Sequence, residues 1–265
     1  MKALLAAALL LCAISVFADE RSEALADFNQ GRFTQSAARL ESLLQRAPLD
    51  AELQYTLGRV RLEQGQVEQS LPPLREAVRL ALGNAEYHYR LGVALATHIN
   101  HVSFFKKMGV TGEIKAAFLR AVEINPDFLD AREALMTYYL SAPGIAGGSE
   151  DKAREQAREI KQRDPVRGYL ADARLLLREE DSFDEAIAAY QVAIEAAPEK
   201  TDARFELGLA LQERKRYEGA LTQFNGVIQR KPEEARAHYQ VGKAAVLFAL
   251  KGQNAVMPRV PPILR

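Results

Sequence analysis

The sequence contains one cysteine and no tryptophan in 265 residues. Cys12, the lone thiol, lies within an apolar stretch running from Ala3 to Val16. Every residue after it is therefore barred from disulfides, thiolate metal sites and cysteine nucleophiles. No excess of either charge is present: Lys and Arg number 35, and so do Asp and Glu. A chain with no net field is not built to hold nucleic acid or an anionic membrane by bulk electrostatics. Histidine is scarce as well, with four in all, His88, His98, His101 and His238. None falls in a nucleophile elbow or a His-Glu-x-x-His stretch, so the sequence offers no catalytic motif and no cofactor is expected. His98 and His101 stand three apart, as two metal ligands on one helix face would. No Asp, Glu or Cys lies between Tyr87 and Gly112 to complete a set, and no metal site is assigned.

What is present is an apolar fraction of 48%, enough for a continuous core. The first eighteen residues differ from the rest. Lys2, the apolar run and Val16-Phe17-Ala18 read as an exported protein's leader, with cleavage after Ala18. The run is shorter than the roughly 20 residues a membrane span needs. Leu11 before Cys12 argues against lipidation. Taking Lys2 from the 35 basic residues leaves 34 against 35 acidic ones, a net charge of −1 for residues 19–265. There is no Asn-x-Ser/Thr acceptor, which favours a bacterial periplasm over a eukaryotic secretory route, and the leader makes a periplasmic or secreted location the expectation.

Three sets of markers recur in step. Tyr55-Thr-Leu-Gly58 is matched by Tyr89-Arg-Leu-Gly92, and Phe205-Glu-Leu-Gly208 by Tyr239-Gln-Val-Gly242, each pair 34 residues apart. Turn positions follow at Gly31, Gly65, Gly109, Gly148, Asp181 and Lys215. Terminators follow at Pro48, Leu82, Pro126, Pro165, Pro198 and Pro232. Both sets are separated by 34, 44, 39, 33 and 34 residues. Between turn and terminator the apolar residues keep helical spacing, as in Ala186, Tyr190, Ala193 and Ala197. Such a period marks helix pairs stacked in series. Gly58, Gly92, Gly208 and Gly242 are expected to let the first helix approach its mate. Ala153, Ala186 and Ala220 would do the same from the other side. Pro72-Pro73 predicts a short second helix starting near Ser70, since only a first turn spares the missing N–H groups.

The pattern resembles the tetratricopeptide repeat, with Leu-Gly in a first helix, a small residue and an aromatic in the second, and a closing proline. The repeat from Thr201 to Pro232 carries it most fully, with Leu207, Gly208, Leu211, Tyr217, Ala220, Phe224 and Pro232. The family's frequent tryptophan is replaced by Gln54, His88, Arg204 and His238. The resemblance spans residues 19–250 and implies an all-α, right-handed solenoid of about six helix-turn-helix repeats plus a C-terminal helix. A Pro-rich basic tail would occupy residues 251–265.

The resemblance also implies a non-catalytic scaffold that binds a protein or peptide segment. It places Tyr55, Tyr89, Phe205 and Tyr239 toward a concave groove, with Arg59 and Lys243 one turn after two of these rings; core packing is the alternative for the rings. The family's carboxylate clamp is missing, because these helices lack its Asn. A second candidate surface is the ten-residue insertion around 97–108, where Phe104 and Phe105 could form an apolar contact rimmed by Lys106; the alternative is that the insertion only lengthens a helix pair. A structural assembly subunit using that insertion is one other reading, and a hydrolase or metal-dependent enzyme another. The second insertion, Ser141 to Ser149, reads as a structured turn with Ser149 as helix N-cap, since Glu150-Asp151 already occupy the positive helix end that an anion would need.

Overall fold

The structure, a computed structural model, describes residues 17–256, except for the side chains of Phe104, Phe105 and residues 251–256. The leader expectation falls almost wholly outside them. Among the described residues there are only helices and turns. In chain order they are α1 (17–29), α2 (Phe33–Arg46), α3 (Ala51–Glu63), α4 (Val67–Leu80), α5 (Ala85–His98), α6 (Phe104–Ile124) and α7 (Leu129–Ser141). There follow α8 (Glu150–Arg163), α9 (Pro165–Leu176), α10 (Phe183–Ala196), α11 (Asp202–Glu213), α12 (Tyr217–Arg230) and α13 (Ala235–Val256). The chain is thus an all-α protein of the solenoid class, six helix-turn-helix repeats followed by one further helix. Its contacts gather into two compact units, residues 1–156 and 157–265.

The repeat markers have steric causes. A Cβ added to Gly58 would lie 2.5 Å from Leu74 Cγ, one added to Gly92 2.5 Å from Phe118 Cε1, and one added to Gly208 2.5 Å from Phe224 Cε1. In each case a large side chain of the second helix sits in the notch a glycine leaves in the first. Gly242 departs from the expectation: nothing lies within 4 Å of its added Cβ, because α13 has no mate among the described residues. At the turns, Gly31 and Gly65 have φ of +72° and Lys215 has +57°. Each closes a Schellman pair, as where Gly65 N–H bonds Leu62 O (2.9 Å) and Gln66 N–H bonds Arg61 O (2.8 Å). Helix starts are capped by Asp50, Asn84 and Asp164, whose side chains accept backbone N–H bonds.

The residues standing where the family carries tryptophan have a shared task. Gln54 bonds Pro48 O (3.1 Å), His88 Leu82 O (3.1 Å) and His238 Pro232 O (2.6 Å). Arg132 does the same to Pro126 O (2.6 Å). All four reach back six residues to the terminator's carbonyl, one of the groups a helix end leaves unpaired. In the sixth repeat Arg230 takes Pro198 O instead (2.7 Å), and Arg204 Nε is buried without a partner. His88→Val is expected to lower stability by about 1–2 kcal/mol. His88→Gln, which copies the preceding repeat, should stay within about 0.5 kcal/mol; urea unfolding of the two variants measures the difference.

Three expectations are corrected. Gly109 marks no turn: it lies inside α6, and the chain turns earlier through a 3₁₀ stretch at Ile99–His101. The insertion has been absorbed by helix growth, so α6 has 21 residues where α2 and α4 have 14. Pro72 and Pro73 lie well inside α4, which begins at Val67. Pro72 is exposed, and the carbonyls deprived of a donor belong to Glu68 and Gln69, both exposed residues. Pro165, finally, opens α9 as its first residue rather than closing the helix before it.

Candidate functional site

The first compact unit holds an open cleft of about 790 Å³ among α5, α6 and α7. It arises from the two insertions. Both fall between the first and second helix of successive repeats, and so at the same edge of the stack. One contributes Thr97, Ile99 and Asn100, and the other Ser141, Ala142 and Pro143. The helices between supply Val93, Ala96, Thr111, Ile114, Phe118, Ala134, Thr137 and Tyr138. Among the described residues no charged one lines it. Apolar side chains dominate, with a few hydroxyls and the Asn100 amide as polar groups.

Its walls are fixed. Phe118 is buried and also fills the notch at Gly92, which ties the floor to the repeat's own packing. The Tyr138 hydroxyl donates to Ala146 O at 2.5 Å, and burial lifts that phenol above its ordinary pKa, so it stays a neutral donor. The turn it grips is tight. Gly147 has φ +89°, and a Cβ on Gly148 would fall 1.8 Å from Ala142 O. Gly148 N–H bonds Pro143 O (3.1 Å) and Ser149 N–H bonds Tyr139 O (2.9 Å). Ser149 Oγ accepts from Lys152 N–H (3.4 Å), the N-cap expected of it. Ile145, two residues after Pro143, is 86% exposed at the crest of this turn.

The residues picked out from the sequence are placed as follows. In the first unit, Tyr55 is buried; its ring stacks on Tyr87 with centroids 4.5 Å apart, and its hydroxyl donates to Glu86 Oε1 at 2.8 Å. Arg59 lies over the Tyr55 ring and over Phe28. Tyr89 is half-buried between Phe118 and Phe128, with Arg90 over its ring. In the second unit, Phe205 is half-buried against Phe224 beneath Arg236, while Tyr239 is 68% exposed and Lys243 is exposed. Phe104 and Phe105 begin α6, and their side chains lie outside the described residues. Lys106 is exposed on a smaller pocket of about 460 Å³ with Glu68, His98 and His101. His98 Nδ1 is buried without a hydrogen-bond partner. Among the described residues no three His, Cys, Asp or Glu side chains gather as a metal set, and no helix is long and apolar enough to cross a membrane.

Thr97, Ile99, Asn100, Ser141, Ala142 and Pro143 belong to the two insertions noted in the sequence, whereas Ala96, Ile114, Phe118 and Ala134 are indistinguishable there from core positions. The signal available was the adjacency of the 44- and 39-residue intervals, which widens one and the same region.

Comparison with known proteins gives a consistent result. The tetratricopeptide repeat model matches residues 21–81, 55–101 and 170–235, together more than half of the chain. Residues 102–169, which carry most of both insertions, lie outside the matched stretches. No curated protein matches in sequence. Among solved structures, a tetratricopeptide repeat protein from Parabacteroides merdae superposes with a TM-score of 0.62 at 14% identity, over 92% of this chain and 94% of that one. A thermophilic TPR protein of Thermus thermophilus gives 0.55 at 15% identity over 87% and 99%. The MamA protein gives 0.53 at 21% identity over 68% and 90%. At these identities the likeness speaks for the fold.

Proposed function

The chain belongs to the tetratricopeptide repeat family, and on that premise we propose that it is a non-catalytic scaffold which holds an uncharged, apolar segment of a partner protein in the cleft among α5, α6 and α7. The observation that carries this reading is the joint lining of one charge-free cleft by two insertions some forty residues apart in sequence. Its volume falls within the range of ligand-binding clefts, roughly 300–1,000 Å³. Its rim of Thr97, Asn100, Thr111 and Ser141 can bond a peptide backbone while the apolar floor takes side chains. An acidic or basic ligand would lose hydration there with nothing to replace it.

Ala134 is partly exposed on the cleft wall, so a bulky residue there fills the space without displacing core. Ala134→Trp is expected to weaken partner binding at least tenfold, about 1.4 kcal/mol, with the helical circular dichroism unchanged. Unchanged affinity in the folded variant would place the contact elsewhere, and the groove residues Tyr89 and Phe205 or the Lys106 surface would then be the next to replace.

The leader completes the proposal: the scaffold acts in the periplasm or outside the cell. Amino-terminal sequencing of the protein taken from its host is expected to begin at Asp19. A chain retaining Lys2 would remove the export reading.

A further inference from the structure

In the second compact unit the last described helix meets, among the described residues, no neighbour on its partner face. On α13, Tyr239, Gly242, Val246 and Leu250 stand at i, i+3, i+7 and i+11, one stripe along a helix. Tyr239 is 68%, Val246 60% and Leu250 49% exposed. The opposite face is committed, with Ala237 and Ala244 fully buried and Val241 packed on the core of this unit. The stripe coincides, at an offset of 34 residues, with the face of α11 that receives α12: Tyr239 corresponds to Phe205, Gly242 to Gly208 and Val246 to Gln212. On α11, Phe224 fills the glycine notch; on α13, the notch is open.

We propose that this stripe docks one amphipathic α-helix of another protein, which sets a large apolar side chain over Gly242 and acidic side chains beside Lys243. The shape of the occupant follows from the filled notches at Gly58, Gly92 and Gly208, all of which take a Leu or Phe from a helix. Its charge follows from the sequence. After Glu234 the sequence holds Arg236, Lys243, Lys251, Arg259 and Arg265 and no acidic residue. Arg236 already bonds Glu234 at 2.9 Å, whereas Lys243 is exposed in the middle of the stripe. A second copy of the same stripe would bring lysine against lysine. The sequence of residues 257–265, with Pro258, Pro261 and Pro262, does not encode the continuous helix that such a notch accepts.

The probe is a labelled peptide of this chain's own α12, residues 217–230, carrying Thr222→Glu and Gln223→Glu beside Phe224, titrated with the full chain and followed by fluorescence anisotropy. Saturable one-to-one binding is expected, weakened at least tenfold by Gly242→Leu in the chain, by Phe224→Ala in the peptide and by Lys243→Glu. Ala134→Trp should leave it unchanged, which separates this surface from the cleft. Circular dichroism confirms that Gly242→Leu folds, as the open space at that position allows. Absence of saturable binding, or equal binding by the Gly242→Leu chain, overturns the proposal. So does a dimer in sedimentation that Gly242→Leu abolishes, which would give the face to a second copy. Binding seen only after deletion of residues 257–265 would give it to the tail and overturns it as well.

Discussion

Gly208→Ala is expected to destabilise the second compact unit by about 2–3 kcal/mol, while Gly242→Ala, the same motif 34 residues later, is expected to be neutral or to stabilise by up to about 1 kcal/mol. The two glycines are equivalent in sequence and differ only in their surroundings. A methyl group on Gly208 would stand 2.5 Å from Phe224 Cε1 and 2.8 Å from Cδ1. Phe224 is completely buried in a cluster with Tyr190, Leu207 and Ala220, so its ring has nowhere to retreat. At Gly242 the methyl group meets open space, and the helix gains from exchanging glycine for its best former. Urea unfolding followed by circular dichroism gives both numbers. Pairing Gly208→Ala with Phe224→Leu is expected to recover at least about 1 kcal/mol, since the smaller side chain vacates the contested space. Equal costs at the two positions would mean that glycine serves helix flexibility here and not the notch.

Alkaline titration is expected to destabilise both compact units above pH 10. Burial, reinforced by the hydroxyl's bond to Glu86, pushes the Tyr55 phenol up to about 12. Tyr190 is raised further, again chiefly by burial and then by the Glu206 carboxylate beside it. In the unfolded chain both titrate near 10. A phenol held protonated in the folded state contributes stability in full below pH 10, and loses it as pH rises through the folded value. For Tyr55 the loss amounts to about 2–3 kcal/mol by pH 12. Tyr55→Phe should lower stability at neutral pH, because Glu86 loses a donor, yet flatten the decline between pH 10 and 12. A decline as steep in the Tyr55→Phe/Tyr190→Phe double variant as in the parent would assign it to other groups.

The repeat was legible because its markers are steric demands that recur. Gly58, Gly92 and Gly208 each answer a large residue on the mate helix, and Gly31 and Gly65 each supply a positive φ that the turn requires. Gly109 misled because a glycine inside a 21-residue helix leaves the same letter as one in a turn, and the Phe104–Met108 stretch was free to extend α6. The aromatic row was legible as positions on a helix but not as surroundings. Tyr55 is enclosed by Tyr87, a residue of the next repeat's first helix, while Tyr239 is bare because no following helix among the described residues covers it. The task of Gln54, His88, Arg132 and His238 could have been inferred, since each stands six residues after its terminator. The cleft could not, because the side chains that line an opening between helices are of the kinds that fill a core.

The cleft is tested most directly by a photoreactive phenylalanine analogue placed at Thr137, an exposed position on its wall, in the organism that makes the protein. The same analogue at Val192, exposed on α10 of the other unit, serves as reference. The expected result is a discrete cross-linked adduct from Thr137 only, lost when Ala134→Trp is introduced. An adduct that forms equally from Val192, or that persists with Ala134→Trp, would contradict the assignment of the cleft as the binding site.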